Sequence, residues 1–385
     1  MATAKLNNIP FYEKKGMADS KKSSKNAYHQ SKVAVIGIGG AGVSVVSQII
    51  TTGARADFLT LDTDRQKLGS SLAKKRFLLG GELYKGLGTA IDPKKGERAA
   101  LEDREQLQEM IKQYEMIYMI AGMGGGTGSG ASIVLAKIAR KLNIRTIAIL
   151  LKPLSLEGSR RRRIASESID VLLRETDICI DFCQQSLISL HRKGGSLLEF
   201  FRLTNQLIAQ SVSGLLRVQK NNWEASQIAI KGQGKSFLGV VTVSSKEGVR
   251  QALVQAIQAP TMEGVSLSNV ELVLIAVKTS QPILKQQLER LVLAQCSGQP
   301  NILADAMVTK PEFEETHLVL VVSCSKDNLT KAEPTEIDPL SAQSIENSLA
   351  HGKEGSLSED KTQPKIKIHV VGDPSDDRND ADSDD

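Results

Sequence analysis

The stretch 122–130, Gly-Met-Gly-Gly-Gly-Thr-Gly-Ser-Gly, lies between the apolar run 116–121 and the apolar-periodic segment 131–140. A glycine loses more backbone freedom on folding than any other residue, so this many between a strand and a helix need a reason. Bare N–H groups can approach an anion closely there while the following helix presents its positive end, and a phosphate chain fits that requirement. A second glycine loop lies upstream, where the run 32–36 meets Gly37-Ile-Gly-Gly-Ala-Gly42 and a helical pattern over 43–50. Its GxGxxG spacing matches a dinucleotide-binding unit, and Asp62 stands about 20 residues on, after the strand-like 58–61.

These loops need elements to hold them. Strand-like and helical patterns alternate over 32–36, 43–52, 58–62, 96–113, 116–121, 129–142, 144–151, 162–175 and 177–183. That alternation predicts a mainly parallel sheet with helices on both faces, and ligands bind at the carboxyl ends of such strands, where both loops emerge. From 195 to 214 an amphipathic pattern without internal Gly or Pro predicts a long connecting helix. Strands at 237–243, 270–277 and 317–323 frame helices near 246–258 and 281–295, a smaller second α/β unit. The expected fold class is therefore α/β, with a Rossmann-like domain over 31–194, a connecting helix over 195–216 and a second α/β domain over 217–325.

At 385 residues and 41% hydrophobic content, the chain can bury a substantial core. No apolar run reaches the roughly 18 residues of a membrane helix, and the first residues lack the apolar core of a signal peptide, which makes the cytoplasm the expected location. Cys179, Cys183, Cys296 and Cys324 form neither a CxxC pair nor a disulfide framework, and no metal site is expected. The net charge of +5 hides an asymmetry: 1–30 is Lys- and Ser-rich, whereas 373–385 is almost purely acidic. Both read as solvated tails, with 326–385 as linker and acidic tail, and 366–371, Ile-Lys-Ile-His-Val-Val, as an edge segment or short recognition peptide. The basic arm lacks interleaved aromatics, so no nucleic acid is expected.

The order of motifs resembles the tubulin/FtsZ superfamily of GTPases over roughly 31–325. The segment 124–130, Gly-Gly-Gly-Thr-Gly-Ser-Gly, matches the family's signature phosphate loop, and Gly37-Ile-Gly-Gly-Ala-Gly42, Asp62-Thr-Asp-Arg-Gln-Lys-Leu68, Gly86-Leu-Gly-Thr-Ala-Ile-Asp-Pro93 and Lys152-Pro-Leu-Ser-Leu-Glu-Gly158 surround it in the right order. The resemblance implies GTP as the ligand, with room for Mg²⁺. Phosphates would be held by Gly39, Gly40, Ala41, Gly42, Val43 and Ser44, and by Gly124, Gly125, Gly126, Thr127 and Gly128, with Gly86 and Gly88 closing over the terminal phosphate. Glu157 would bond the ribose and Arg161 reach the nucleotide. Phe201 and Asn205, one helical turn apart on one face, would stack on and bond the guanine.

Two departures bear on activity. Gln184-Gln185 stands where the family usually has Asn-Asp, and the loop whose carboxylates enter the next subunit's site is reduced to 218–228. If Asn222 is that motif's Asn, Glu224 replaces the first Asp and Gln227 the second, leaving Asn222 and Glu224 as catalytic candidates. One orienting carboxylate in place of two implies slow turnover with binding retained. Trp223 beside them is read as a subunit contact or a packing residue.

The resemblance thus implies a GTP-binding filament subunit, a homopolymer or co-polymer with another FtsZ-like chain, acting at the division site. A membrane-tethering partner through the tail would substitute for a transmembrane segment. The alternative is a non-hydrolysing regulatory paralogue. An NAD-dependent oxidoreductase is disfavoured by the second glycine loop and by the absence of a His–carboxylate pair to serve hydride transfer.

Overall fold

The computed structural model describes residues 32–190, 196–262, 265, 267, 270–310 and 314–324. The basic arm over 1–30 and the whole linker and acidic tail over 326–385, with its segment 366–371, lie outside them. In chain order the elements are β1 Val33–Ile38, α1 Gly39–Thr51, β2 Asp57–Asp62, α2 Arg65–Gly69, β3 Lys75–Leu78, α3 Gly81–Tyr84, α4 Pro93–Glu102, α5 Arg104–Ile111, β4 Met116–Gly122, α6 Gly126–Lys141, β5 Arg145–Leu151, α7 Ser159–Glu175 and β6 Ile178–Phe182. There follow α8 Leu197–Asn221, α9 Trp223–Ala229, β7 Gly234–Ser244, α10 Gly248–Ile257, β8 Val270–Thr279, α11 Lys285–Leu293, β9 Asn301–Val308 and β10 Glu315–Cys324.

All ten strands form one sheet in the order β3-β2-β1-β4-β5-β6-β7-β10-β8-β9. Pairing is parallel from β3 through to β7 and again between β8 and β9, while β10 runs antiparallel to both β7 and β8. The first six strands have the 3-2-1-4-5-6 order of a doubly wound sheet, whose switch point falls between β1 and β4. The two strands that carry the glycine loops are thus direct neighbours, with Ile38 opposite Ala121.

Both faces of this half are covered, so its central strands β1 and β4 are apolar runs, while the edge strand β3 carries Lys75 and Arg76. On β4, Met116, Tyr118 and Ile120 join α1 and α8 in one core, while Ile117, Met119 and Ala121 face α5 and α6 in another. Helix α8 lies on the first face and packs on α1, β8, β9 and β10, so it belongs to both ends of the sheet. Its start is defined by Ser196 and Glu199 capping each other's backbone. A third core, under α10 and α11, closes the far end.

Several expected elements are corrected. The pattern over 96–113 is two helices, divided at Asp103, whose carboxylate accepts from the Gly80 N–H at 2.7 Å instead of continuing a helical surface. Helices α1 and α6 begin at Gly39 and Gly126, earlier than the apolar periods over 43–52 and 129–142 announce. Strand β9 went unforeseen, and the expected loop over 218–228 is helical on both sides of Asn222.

Candidate nucleotide site

At the switch point β1 runs straight into α1, and β4 reaches α6 through three residues. Neither helix has a capping side chain or an acidic residue in its first turn. The Gly126 N–H is given to the Ala90 carbonyl at 3.0 Å and the Gly124 N–H to Ser129 Oγ at 2.9 Å, so an anion would meet the remaining leading N–H groups, with two positive helix ends behind them. Gly40 is half-buried, Ala41 and Ser44 are exposed, and Gly125 is half-buried with open space where a Cβ would stand. Val43, by contrast, is in the core, so only its backbone is free to serve a ligand.

The other glycines answer to packing. A Cβ on Gly42 would strike the Ile120 carbonyl, one on Gly128 the Gly122 carbonyl, and one on Gly126 the Thr89 hydroxyl and the Ala90 and Asp92 carbonyls. Gly39, at φ +71°, is required twice over, because its Cβ would also stand 3.0 Å from the Gly128 nitrogen. Glycine richness here brings α1 and α6 close to each other and to the 89–96 segment, and that closeness sets the spacing of the two helix ends.

The floor of the crevice is a chain of buried hydroxyls. Thr127 Oγ1 lies 2.7 Å from Thr63 Oγ1 and 3.3 Å from Thr89 Oγ1. Asp62 Oδ1 accepts from the N–H groups of Thr63 and Asp64 at 2.7 and 3.2 Å, while Oδ2 is buried and unpartnered. Burial raises the Asp62 pKa against the opposing pull of the Asp64 N–H, Lys67, Thr127 and the Thr63 N–H. The Lys67 side chain crosses Gly40, its Nζ 3.7 Å from where a Cβ would be, and pairs loosely with Asp64 at 3.6 Å. Thr63, Thr89 and Lys67 were missed as site residues. Their signal was their place inside the matched loops 62–68 and 86–93.

Gly86 and Gly88 have φ values of +78° and +80°, and Lys85 and Ala90 share the left-handed region without glycine's freedom. The Arg65 N–H donates to the Gly86 carbonyl and the Gly88 N–H to the Thr63 carbonyl, both at 3.0 Å, so this loop is held against the Asp62–Arg65 turn.

Glu157 accepts from the Leu154 N–H at 2.9 Å and from Arg161 Nη1 at 2.6 Å, so the expected ribose and nucleotide contacts are paired with each other. The Arg161 carbonyl abuts Gly124, which places this pair beside the phosphate loop. Gln184 donates to the Lys152 carbonyl, and Gln185 accepts from the Ser155 N–H and hydroxyl, which ties both amides to the 152–155 segment. Phe201 packs edge-on to Phe200, with ring centroids 5.8 Å apart, while Asn205 sits half-buried one turn on.

The α8–α9 junction is built differently. Asn222 Nδ2 donates to the Val218 and Ala304 carbonyls at 2.7 and 3.1 Å, and its Oδ1 accepts from Lys285 Nζ. It is a clasp between helices and β9. Glu224 is exposed in the first turn of α9, and Trp223 packs against the core with Lys32 Nζ 5.4 Å from its ring centre.

A doubly wound sheet with two helices starting side by side at its switch point defines the class, a Rossmann-like α/β protein. The model of the Tubulin/FtsZ family, GTPase domain, matches residues 32–191. Cell division protein FtsZ of Azotobacter vinelandii is 26% identical over 356 residues, covering 89% of this chain and 90% of that protein. Among solved structures, the FtsZ dimer of M. jannaschii superposes with a TM-score of 0.73 at 24% identity, covering 80% of this chain and 94% of that one. CetZ2 of Haloferax volcanii, a GTPγS-bound protofilament, superposes at 0.65 and 18% identity, covering 83% and 99%. Residues 32–191 thus match the GTPase domain of the Tubulin/FtsZ family, and the chain shares its fold with the FtsZ and CetZ structures.

Proposed function

We propose that this protein is a filament subunit that binds GTP in the switch-point crevice and turns it over slowly at the junction with the next subunit. The observation that carries the reading is the pair of uncapped helix ends, α1 and α6, brought together by glycine packing over the Thr63–Thr89–Thr127 floor. Gly40, Ala41, Ser44 and Gly125 then meet the phosphates, Lys67 adds a cation beside them, and Phe201 with Asn205 takes the base. A Mg²⁺ held mainly by phosphate oxygens and water needs only one or two carboxylates, and the unpartnered buried Oδ2 of Asp62 suits that role. The division of the chain into 31–194 and 217–325, joined by the α8 helix, goes with this reading. So does action at a division site, since the A. vinelandii relative is a cell division protein. Among the described residues no helix is long and apolar enough to cross a membrane, which accords with a tether supplied by a partner.

The α8–α9 junction favours a second reading, a GTP-binding paralogue that modulates another filament without hydrolysis. Asn222 is spent on the clasp, and Glu224 is the sole carboxylate on α9. Binding assays with GTP and NAD, followed by GTP hydrolysis against protein concentration with sedimentation, separate the two. Cooperative hydrolysis with pelletable filaments supports the first reading. GTP binding without hydrolysis or self-assembly leaves the second, and absence of GTP binding defeats both.

A further inference from the structure

A cavity of about 1240 Å³ opens at the opposite end of the strands from the glycine loops. Its walls come from the start of β1, the turn from α1 into β2, one side of α8, Trp223 and the inner face of β7, β8, β9 and β10. Five cationic side chains line it, Lys32, Arg55, Arg217, Lys220 and Lys278, against one carboxylate, Asp57. Lys75 and Tyr114 already hold that carboxylate, at 2.8 and 2.7 Å. Lys32 and Arg217 are paired with Glu115 and Asp305, whereas Arg55 and Lys220 are exposed without an ion-pair partner among the described residues. Burial, then the nearby Lys278 and Arg217, push the pKa of His317 in the cleft wall down to about 4. The cleft is thus a positive concavity with apolar walls, larger than the roughly 300–1,000 Å³ of most small-molecule sites. It suits an extended anionic segment.

The geometry points to the chain's own stretch 373–385 as the occupant, bound in cis. That stretch holds seven aspartates and a single arginine. Strand β10 passes the cavity at His317 and Val319 and ends at Cys324, so the chain leaves the sheet five residues, roughly 17 Å, from the cleft wall. The 48 residues from 325 to 372 have a contour of roughly 3.3 Å each, ample to cover that distance. A nucleic-acid strand would share the charge chemistry, but it relies on aromatic platforms for its bases, and Trp223 is the one aromatic lining residue, with Lys32 already over it. Bound there, the acidic stretch would lie beside α9 and the Asn222 clasp, the surface that the proposed function assigns to the next subunit.

Zero-length carbodiimide coupling of the intact chain, read by mass spectrometry, tests this directly. Links from 373–385 to Lys278, Lys220 or Lys32 at monomer mass are expected. Links to Lys278 should fall about tenfold in an Arg55→Glu/Lys220→Glu variant, both positions being exposed and away from the core. Trp223 is the only tryptophan in the chain, so its quenching by acrylamide reports the cleft without any label and should rise when the seven aspartates become asparagine. Links that scatter to distant lysines such as Lys94 and Lys95, links confined to dimer mass, or unchanged quenching would overturn the proposal. Retention of a fluorescent oligo-dT at physiological salt, lost in the Arg55→Glu/Lys220→Glu variant, would reassign the cleft to nucleic acid. None of these readouts depends on GTP, so they fail or succeed separately from the proposed function.

Discussion

The two ends of the parallel sheet are built on opposite plans. At the β1–β4 switch point the proposed site rests on backbone: helix starts without a side-chain cap, glycines that let helices touch, and side chains such as Thr127 whose hydroxyls are already engaged. At the α8–α9 junction everything rests on side chains, and the most tightly held of them, Asn222, serves the fold. Backbone-built sites survive sequence drift because many side chains can change without moving an N–H. Side-chain sites have no such protection, which is why a chain can keep a family's phosphate cradle while losing the carboxylates that would use it.

The largest test of this contrast is Glu224→Gln. If the exposed carboxylate orients the attacking water in a neighbouring subunit, turnover at saturating GTP drops about 100-fold or more while GTP affinity stays put. Unchanged turnover would remove the α9 end from the chemistry altogether. Next comes a pair of neighbouring glycines. Gly126→Ala forces a methyl against two backbone carbonyls and the Thr89 hydroxyl, and should cost about 1–3 kcal/mol by thermal unfolding. Gly125→Ala, at φ −95° with open space around it, should leave stability within about 0.5 kcal/mol and instead weaken GTP binding in a titration. Should both behave alike, the division of these glycines between packing and ligand is wrong.

Asn222→Ala should cost about 1–2 kcal/mol in denaturant unfolding, since it removes the side-chain bonds to the Val218 and Ala304 carbonyls and to Lys285, which keeps Glu289 at 3.9 Å, and GTP affinity should not move. The smallest effect concerns Asp62. Its carboxyl titrates above the ordinary value of 3.8 in the folded chain because burial opposes its charge. The unfolded chain therefore ionises first as pH rises, and stability is lost through the window from 3.8 up to the folded pKa. Asp62→Asn should then raise the melting temperature slightly at pH 7, with a gain that shrinks as pH falls toward 3.8. A gain independent of pH would mean that the charge is not its source.

Much of the nucleotide end was legible because its signals are local. The apolar runs before Gly37 and Gly122 mark strands that the fold makes neighbours, and Phe201 and Asn205, which the family resemblance offers for the base, share one helix face by their spacing. What escaped depends on distant partners. Strand β9 carries Asp305 in mid-run, which breaks the apolar pattern, and only the fold supplies Arg217 at 3.1 Å and Asn221 to hold it. The split between α4 and α5 turns on Gly80, more than 20 residues away. The packing roles of Gly126 and Gly130 depend on the 89–92 segment and on α4 approaching within van der Waals contact, which no spacing along α6 announces.

The single sheet also has a mechanical meaning. The parallel half and the β7–β10 half are stitched by β6 and β7 over three residue pairs, Ile178 with Gly234 through Ile180 with Ser236, whereas β7 and β10 share nine. A pull on one half reaches the other through that short seam and through α8 lying across it like a splint. Any swing between the halves therefore pivots at Gly234–Ser236, and the helix that carries Phe201 at one end and Asn222 at its other is the lever that would report it.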